Sequence, residues 1–351
     1  MRVCVILLAA TAAAFAADLE LRGLLEAGKY RRAEAIATQR LKLKADDAEA
    51  LYASALAQYR TGNVQKAIVF AEKASAIAPA EAEYHNLLAQ AFGTQAQKAS
   101  LLRQMTLARR CRKELEATLA LDPRHFEANV ILMVYLLKAP GILGGDKARA
   151  RAIPDDIGKY DPSNGYLAKA RLLREEDAKA DLTEVYRRAV EANPRNYAAL
   201  TSYASDLLDR GIKIEEVGKH ARAAIEVAPD QHLGYALLAR RYLLSGQFAE
   251  MDAALREGRK NCPANLQPLY VAASALLERG KELQRAEAYL KSYLAQEPEY
   301  GMPVHADAHR MLGLVLEKQG RKPEALAEMQ KAVQLKANFE AAKKDLKRLR
   351  G

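Results

Sequence analysis

The spacing of proline most restricts what this chain can fold into. Helix-like runs closed by proline recur along it: "AEKASAIAP" at 71–79, "LEATLALDP" at 115–123, "YRRAVEANP" at 186–194, "ARAAIEVAP" at 221–229, "LREGRKNCP" at 255–263 and "LKSYLAQEP" at 290–298. Proline lacks an N–H and biases the residue before it away from helical geometry, so each one marks a helix end. With Pro162 included, the prolines fall at 79, 123, 162, 194, 229, 263 and 298, with gaps of 44, 39, 32, 35, 34 and 35 residues. A period near 34 residues holds two short helices and two turns. Glycine supplies the second punctuation mark. Gly28 in "EAGKYRRAEAIA" and Gly62 in "YRTGNVQKAIVFA" are 34 residues apart, and the same turn returns at Gly246 and Gly320. Five residues after Gly28, Gly62 and Gly320 stands Ala33, Ala67 or Ala325. A residue that small lets two helices approach closely. A chain of 351 residues with this pattern fills its length by stacking units around a continuous core.

Composition supports helices over sheets. Hydrophobic residues make up 50% and charged residues 28%, which is foldable rather than disordered. Ala, Leu, Glu, Lys and Arg dominate, whereas aromatics are 6% with no Trp, a diet that favours helix and is poor for strand. The net charge of +10 permits contact with nucleic acid or an anionic membrane. The charges are scattered along helix faces, and no nucleic-acid partner is expected. The densest cluster, "KKDLKRLRG", holds Lys343, Lys344, Lys347, Arg348 and Arg350. It reads as the solvated face of a last helix with cations at its C-terminal end; a patch for an acidic partner is the sharper alternative.

The opening "MRVCVILLAATAAAFAADLE" has the layout of a secretory signal. Arg2 gives the positive start, Val3 to Ala14 the apolar stretch, and Ala14-Phe15-Ala16 the small-residue cleavage site. The apolar run is short for a transmembrane helix. Residues 1–16 are therefore expected to be removed and the mature protein exported to the periplasm or secreted, with no stable membrane insertion. Cys4 leaves with the leader. Cys111 falls at a small packing position and is expected to be buried and inert. Cys262, before Pro263 in a turn, is a candidate exposed thiol. About four repeats separate the two cysteines, and helices packed roughly 8–10 Å apart cannot bring them within bridging distance.

These residues resemble the tetratricopeptide repeat (TPR) family. Residues 48–81 carry its pattern at Leu51, Ala55, Gly62, Ala67, Ala74 and Pro79; residues 306–337 carry it at Leu312, Gly313, Leu316, Gly320, Ala325 and Ala332, with Ala337 in place of proline. The repeat at 232–263 departs from it, with Met251 and Gly258 where alanine is usual. The resemblance implies an all-α, right-handed α-solenoid of about nine helix-turn-helix repeats over 17–337, followed by a capping helix at 338–351. Two repeats exceed the period. That at 82–123 carries "GTQAQKASLLRQMTLA", which lacks proline and so predicts longer helices; that at 124–162 carries "APGILGGDKARA". This combination is similar to a group of exported bacterial TPR proteins. A looser resemblance is to the TPR component of tripartite (TRAP) transporters.

The glycine-rich segment also tests for a nucleotide loop. A P-loop needs G-x-x-x-x-G-K-[ST] after a strand. Counting from Gly141, the second glycine is replaced by Asp146, and Lys147 is followed by Ala148 rather than a hydroxyl. The segment instead predicts a turn: Pro140 ends a helix, Gly141, Gly144 and Gly145 take unusual backbone angles, and Asp146 caps the next helix. His305 and His309 are the weak metal candidates, one helical turn apart with Asp307 between them, but no third ligand stands near. Acid pairs such as Asp46-Asp47, Asp155-Asp156 and Glu175-Glu176 read as solvated. No cofactor and no catalytic constellation are expected.

Binding is the expected chemistry. The TPR resemblance implies a concave groove lined by the first helix of each repeat. Carried over residue by residue, its lining is Tyr52, Tyr59, Arg60, Gln90, Thr94, Arg171, Arg174, Arg240, Tyr270 and Arg310. Tyrosine offers rigid amphipathic surface and arginine a fork for carboxylate, which suits a protein or peptide ligand. The expected function is an exported, non-catalytic scaffold. Two alternatives are a ligand-handling transporter accessory of TRAP type, with a pocket between the insertions at 93–108 and 140–146, and a metal-dependent enzyme. Partner identity and oligomerisation stay open.

Overall fold

The computed structural model describes residues 20–351, so the expected leader lies outside it. The described residues form helices joined by turns, with no strand among them. By packing, the chain divides into two compact units, one ending at Tyr203 and the other beginning at Ala204. In the first unit the helices run as consecutive pairs. They are α1 (20–26) with α2 (Tyr30–Leu43), α3 (Ala48–Arg60) with α4 (Val64–Ile77), α5 (Ala82–Ala96) with α6 (Leu101–Leu121), α7 (Phe126–Lys138) with α8 (Lys147–Gly158), and α9 (Pro162–Glu176) with α10 (Thr183–Ala192). The boundary falls inside α11 (Tyr197–Arg210), which precedes α12 (Ile214–Val227). The second unit continues with α13 (Leu233–Leu244) and α14 (Phe248–Asn261), α15 (Gln267–Arg279) and α16 (Leu283–Leu294), and α17 (His305–Lys318) and α18 (Lys322–Leu335). It ends on α19 (Glu340–Arg350).

The two punctuation marks work as their chemistry requires. Gly28, Gly62, Gly246 and Gly320 have φ of +68°, +81°, +70° and +80°, the left-handed turn that ends a first helix. Ala33, Ala67 and Ala325, five residues after three of these turns, are fully buried. Pro79, Pro123, Pro194, Pro229 and Pro263 each stand one residue beyond the cap that ends a second helix. Pro162 differs. It opens α9, where its missing N–H costs nothing, and Asp161 caps that helix by accepting from the Asn164 N–H at 3.0 Å. Pro298 lies in the longer connection between α16 and α17. Pro154 stands inside α8 and forgoes one backbone hydrogen bond there.

Packing follows the repeat. Within the first unit, first helices touch their successors, α3 with α5, α5 with α7 and α7 with α9; within the second, α13 touches α15 and α15 touches α17. Leu88, Phe92 and Leu115 form the centre of the α5–α6 core, and burial of each contributes about 1.5–3 kcal/mol relative to exposure. The irregular repeat at 232–263 has a steric reason: a methyl group on Gly258 would meet the Tyr235 Cβ at 2.9 Å, and Met251 fills buried space. The final helix, α19, buries Ala342 and Leu349 and places Lys347, Arg348 and Arg350 in its last turn.

The two long repeats differ in kind. The extra residues of the first extend its helices: α5 has 15 residues and α6 has 21, with a turn at 97–100. Those of the second form a short 3-10 turn, η1 (Gly141–Leu143), after which Asp146 caps α8 by accepting from the Arg149 N–H at 2.9 Å. The expectation of unusual angles at all three glycines is corrected. Only Gly144 is left-handed, at φ +79°. Gly145 is required by proximity, since a Cβ there would sit 1.8 Å from the Ala139 carbonyl oxygen. Gly141 lies in open space and meets neither condition.

Candidate functional site

The first helices of the first unit build a surface of tied aromatic and polar side chains. The Tyr52 ring on α3 stacks on the Tyr84 ring on α5, with centroids 4.7 Å apart and planes 24° from parallel. The Tyr84 hydroxyl donates to Glu49 at 2.9 Å, and the Arg22 guanidinium holds the same carboxylate through two bonds of 3.0 Å. Further along, the Tyr59 hydroxyl meets the Thr94 hydroxyl at 3.0 Å. Gln90 stands on α5 four residues before Thr94, half-buried. The Arg60 guanidinium lies over the Tyr30 ring, 5.2 Å from its centroid. Tyr52, Tyr59 and Thr94 are thus brought onto one α3–α5 surface. Burial pushes the Tyr52 phenol well above its ordinary value, so it stays neutral.

At their N-terminal ends, α5 and α7 are tied by charge. His125 Nε2 donates to Glu83 at 3.0 Å, while its Nδ1 accepts from the Ala128 N–H at 3.2 Å and so caps α7. The contact with Glu83 raises His125 above 6.5 and lowers Glu83 below 4.5. Asn86 Nδ2 donates to Glu127 at 3.1 Å. These ties were not anticipated from sequence. A signal was present: Glu49, Glu83 and Glu127 each occupy the second residue of a first helix, where an acid favours the helix dipole.

The other arginines read as groove forks are engaged within the chain. Arg171 pairs with Glu175 at 2.6 Å, a carboxylate also held by Lys138, and Arg174 donates to the Tyr186 hydroxyl. In the second unit Arg240 pairs with Asp209 at 2.7 Å. Arg310 pairs with Asp345 at 2.7 Å and lies 5.9 Å from the Phe339 centroid. Tyr270 packs on Tyr293 with centroids 5.5 Å apart, and burial raises its phenol pKa. The Arg240–Asp209 pair is exposed on both sides and worth only about 0–1 kcal/mol, whereas Glu175 is mostly buried and held by two cations.

His305 and His309 turn to different acceptors. His305 Nε2 meets the Gln296 carbonyl at 3.0 Å, with Nδ1 3.6 Å from Glu297, whereas His309 Nδ1 bonds Glu328. No cluster able to hold a metal ion stands among the described residues. Cys111 is buried, and burial pushes its thiol up to about 11. The exposure considered for Cys262 is corrected: as the cap of α14 it points inward, with Sγ 3.6 Å from the Pro229 carbonyl, and burial raises it to about 11 as well. The reading of the acid pairs as solvated is corrected in part: Asp46 and Asp155 are exposed, but their neighbours are engaged. Asp47 caps α3 and receives the Arg40 fork at 2.8 and 3.0 Å, and Asp156 pairs with Arg149 and Lys159.

A cavity of about 550 Å³ opens where α5, α6, α7 and η1 meet, at the C-terminal ends of α5 and α7. Its walls come from the two insertions, with Gly93, Met105 and Ala108 on one side and Pro140 and Leu143 on the other.

Profiles of the tetratricopeptide repeat match residues 24–91 and 270–342. The chain carries tetratricopeptide repeats in these two stretches. They are its regular ends, and most of the lengthened repeats lie between them. Among solved structures the protein is similar to yeast Tom70, at 14% identity and a TM-score of 0.45, over 94% of this chain and 79% of that one. It is also similar to the Cut9–Hcn1 hetero-tetramer of the APC/C, at 11% identity and 0.43, over 95% and 82%. A TPR protein from Parabacteroides merdae matches at 14% identity and 0.39, over 87% and 99%. No curated protein sequence matches it. No helix among the described residues is long and apolar enough to cross a membrane.

Proposed function

We propose that this protein is an exported, non-catalytic scaffold that binds a helical or extended segment of a partner protein along the first helices of its N-terminal unit. The observation that carries this reading is the α3–α5 surface. Its half-buried tyrosines are fixed by Tyr84 and Thr94 before any partner arrives. Rigid, amphipathic side chains of this kind give contact area at low cost in conformational entropy. The helix-in-groove and extended-strand modes both need such a face. Export rests on the leader pattern of residues 1–16.

The test is affinity capture from periplasmic extract with the wild-type chain and with a Tyr59→Ala, Gln90→Ala variant. Loss of the captured protein by about tenfold, with helical content unchanged, supports the reading. Equal capture by both chains contradicts it. Fractionation of cells, with the chain found only in the cytoplasm, would contradict export.

A further inference from the structure

We propose that the cavity formed by α5, α6, α7 and η1 binds a single-chain fatty carboxylate, its hydrocarbon chain among Met105, Ala108, Ile131, Val134 and Leu143 and its carboxylate at the mouth on the side of Arg109. This goes beyond partner binding, because it assigns a small-molecule site to the irregular part of the array.

Three observations converge. First, the volume of about 550 Å³ lies within the range of about 300–1,000 Å³ usual for small-molecule sites, and the lining is apolar apart from Gln97, Gln104 and Lys138. The space is a cleft open to solvent on one side. Here the residues that would close it are small: Gly93, Ala96, Ala108 and Ala139. Second, the mouth carries large apolar side chains facing water. Leu101 is 73% exposed and Ile142 is 80% exposed, although both line the cavity, and the neighbouring Leu102 is 82% exposed. They stand at the start of α6 and in η1, where a chain entering the cavity would cover them. Third, the charge around the mouth is positive. Arg109 and Arg112 both act on the Tyr135 phenol in the cavity wall, and Lys138 lines the cavity itself. The facing acids are Glu116, which pairs with Arg112, and Glu175, which pairs with Lys138. Arg109 has no ion-pair partner among the described residues, so one cation remains uncompensated. An apolar chain with an anionic head answers all three observations.

The wall is built to stay open. Tyr135 donates to the Leu143 carbonyl at 2.7 Å, and the Arg112 guanidinium reaches the carbonyls of Leu143 and Gly144 at 3.5 and 3.3 Å. The first contact ties η1 to α7 and the second ties it to α6, so the wall is fixed from both sides.

Titration calorimetry of the full chain with sodium dodecanoate below its micellar concentration is the test, with dodecyltrimethylammonium as the charge control and hexanoate as the length control. The expected result is saturable dodecanoate binding, with both controls weaker by about tenfold or more. Ala108→Phe fills the cavity and should abolish binding. Leu101→Gln with Ile142→Gln changes only exposed side chains, so the fold is kept, and should weaken binding by about three- to tenfold. Arg109→Glu should narrow or reverse the preference for the anion. No saturable dodecanoate binding overturns the proposal, and so does binding unchanged in the Leu101→Gln, Ile142→Gln chain. Equal binding of the cationic amphiphile overturns the head-group assignment. Failure of partner capture in the preceding section leaves each of these outcomes independent.

Discussion

Two neighbouring helix pairs use small residues to opposite ends. Where α9 turns back on α8, a methyl group on Gly165 would meet the Gly158 Cα at 2.7 Å and the Pro154 carbonyl at 3.0 Å. Backbone lies directly on backbone, and the gap is closed. Where α5 faces α6, a methyl group on Gly93 would meet only the Cys111 sulfur, at an ordinary 3.7 Å. There the gap is left open as the cavity. A small side chain permits close approach but does not enforce it. What differs is the framework around it. The helix α8 has 12 residues and turns directly into α9, whereas α6 has 21 and is flanked by η1. Furthermore, α5 and α7 are tied at their N-terminal ends by Glu83–His125 and Asn86–Glu127, while their C-terminal ends frame the cavity.

The largest expected effect probes the closed pair. Gly165→Ala should destabilise the protein by about 1–3 kcal/mol in urea unfolding, because backbone atoms must move to admit the methyl group. The same change at Gly93 should be neutral or stabilising by up to about 1 kcal/mol, since it replaces a helical glycine in adequate space. Shifts of the same sign at both sites would break the comparison. A smaller effect sharpens the open side. Tyr135→Phe removes the bond to the Leu143 carbonyl and should cost about 0.5–1.5 kcal/mol. Hydrogen exchange should then rise in η1 and not in α9; uniform exchange would mean that Tyr135 does not hold the wall.

The smallest effect concerns the tie at the other end. In Glu83→Gln the His125 midpoint, read by NMR titration, should fall toward 6.5. The sign for stability follows. The raised histidine contributes fully below 6.5 and loses that contribution as pH rises through its folded value. Lowered Glu83 contributes above 4.5 and loses that contribution as pH falls through its own folded value. The pair therefore matters most between those limits. Because Glu83 is largely exposed, its worth is below about 1 kcal/mol. An unmoved His125 midpoint would remove Glu83 as the cause.

What was legible in the sequence is what proline and glycine fix locally. The left-handed turns at Gly62 and Gly320, the buried alanines five residues on, the long helices of the third repeat and the Asp146 cap all follow from single residues and their spacing. Pro162 misleads because proline fits both after a helix and at its first residue, and only the Asp161 cap separates the two cases. Arg171 and Arg174 look like free forks on a helical projection. Glu175, four residues from Arg171, could have been foreseen as its partner; Tyr186, reached from the next helix, could not. The place of the cavity, between the insertions at 93–108 and 140–146, was open to a sequence reading, but its volume was not, since that depends on how far α6 and η1 stand from α5. The inward turn of Cys262 likewise depends on Pro229, more than thirty residues away in sequence.

The most direct test of the account is site-specific photo-cross-linking in living cells, with a benzoylphenylalanine placed at Gln90 on the α5 face or at Lys73 on the exposed side of α4. The account predicts a discrete partner adduct from position 90 and none from position 73. Adducts from position 73 alone, or equally from both, would contradict the assignment of the first helices as the partner surface.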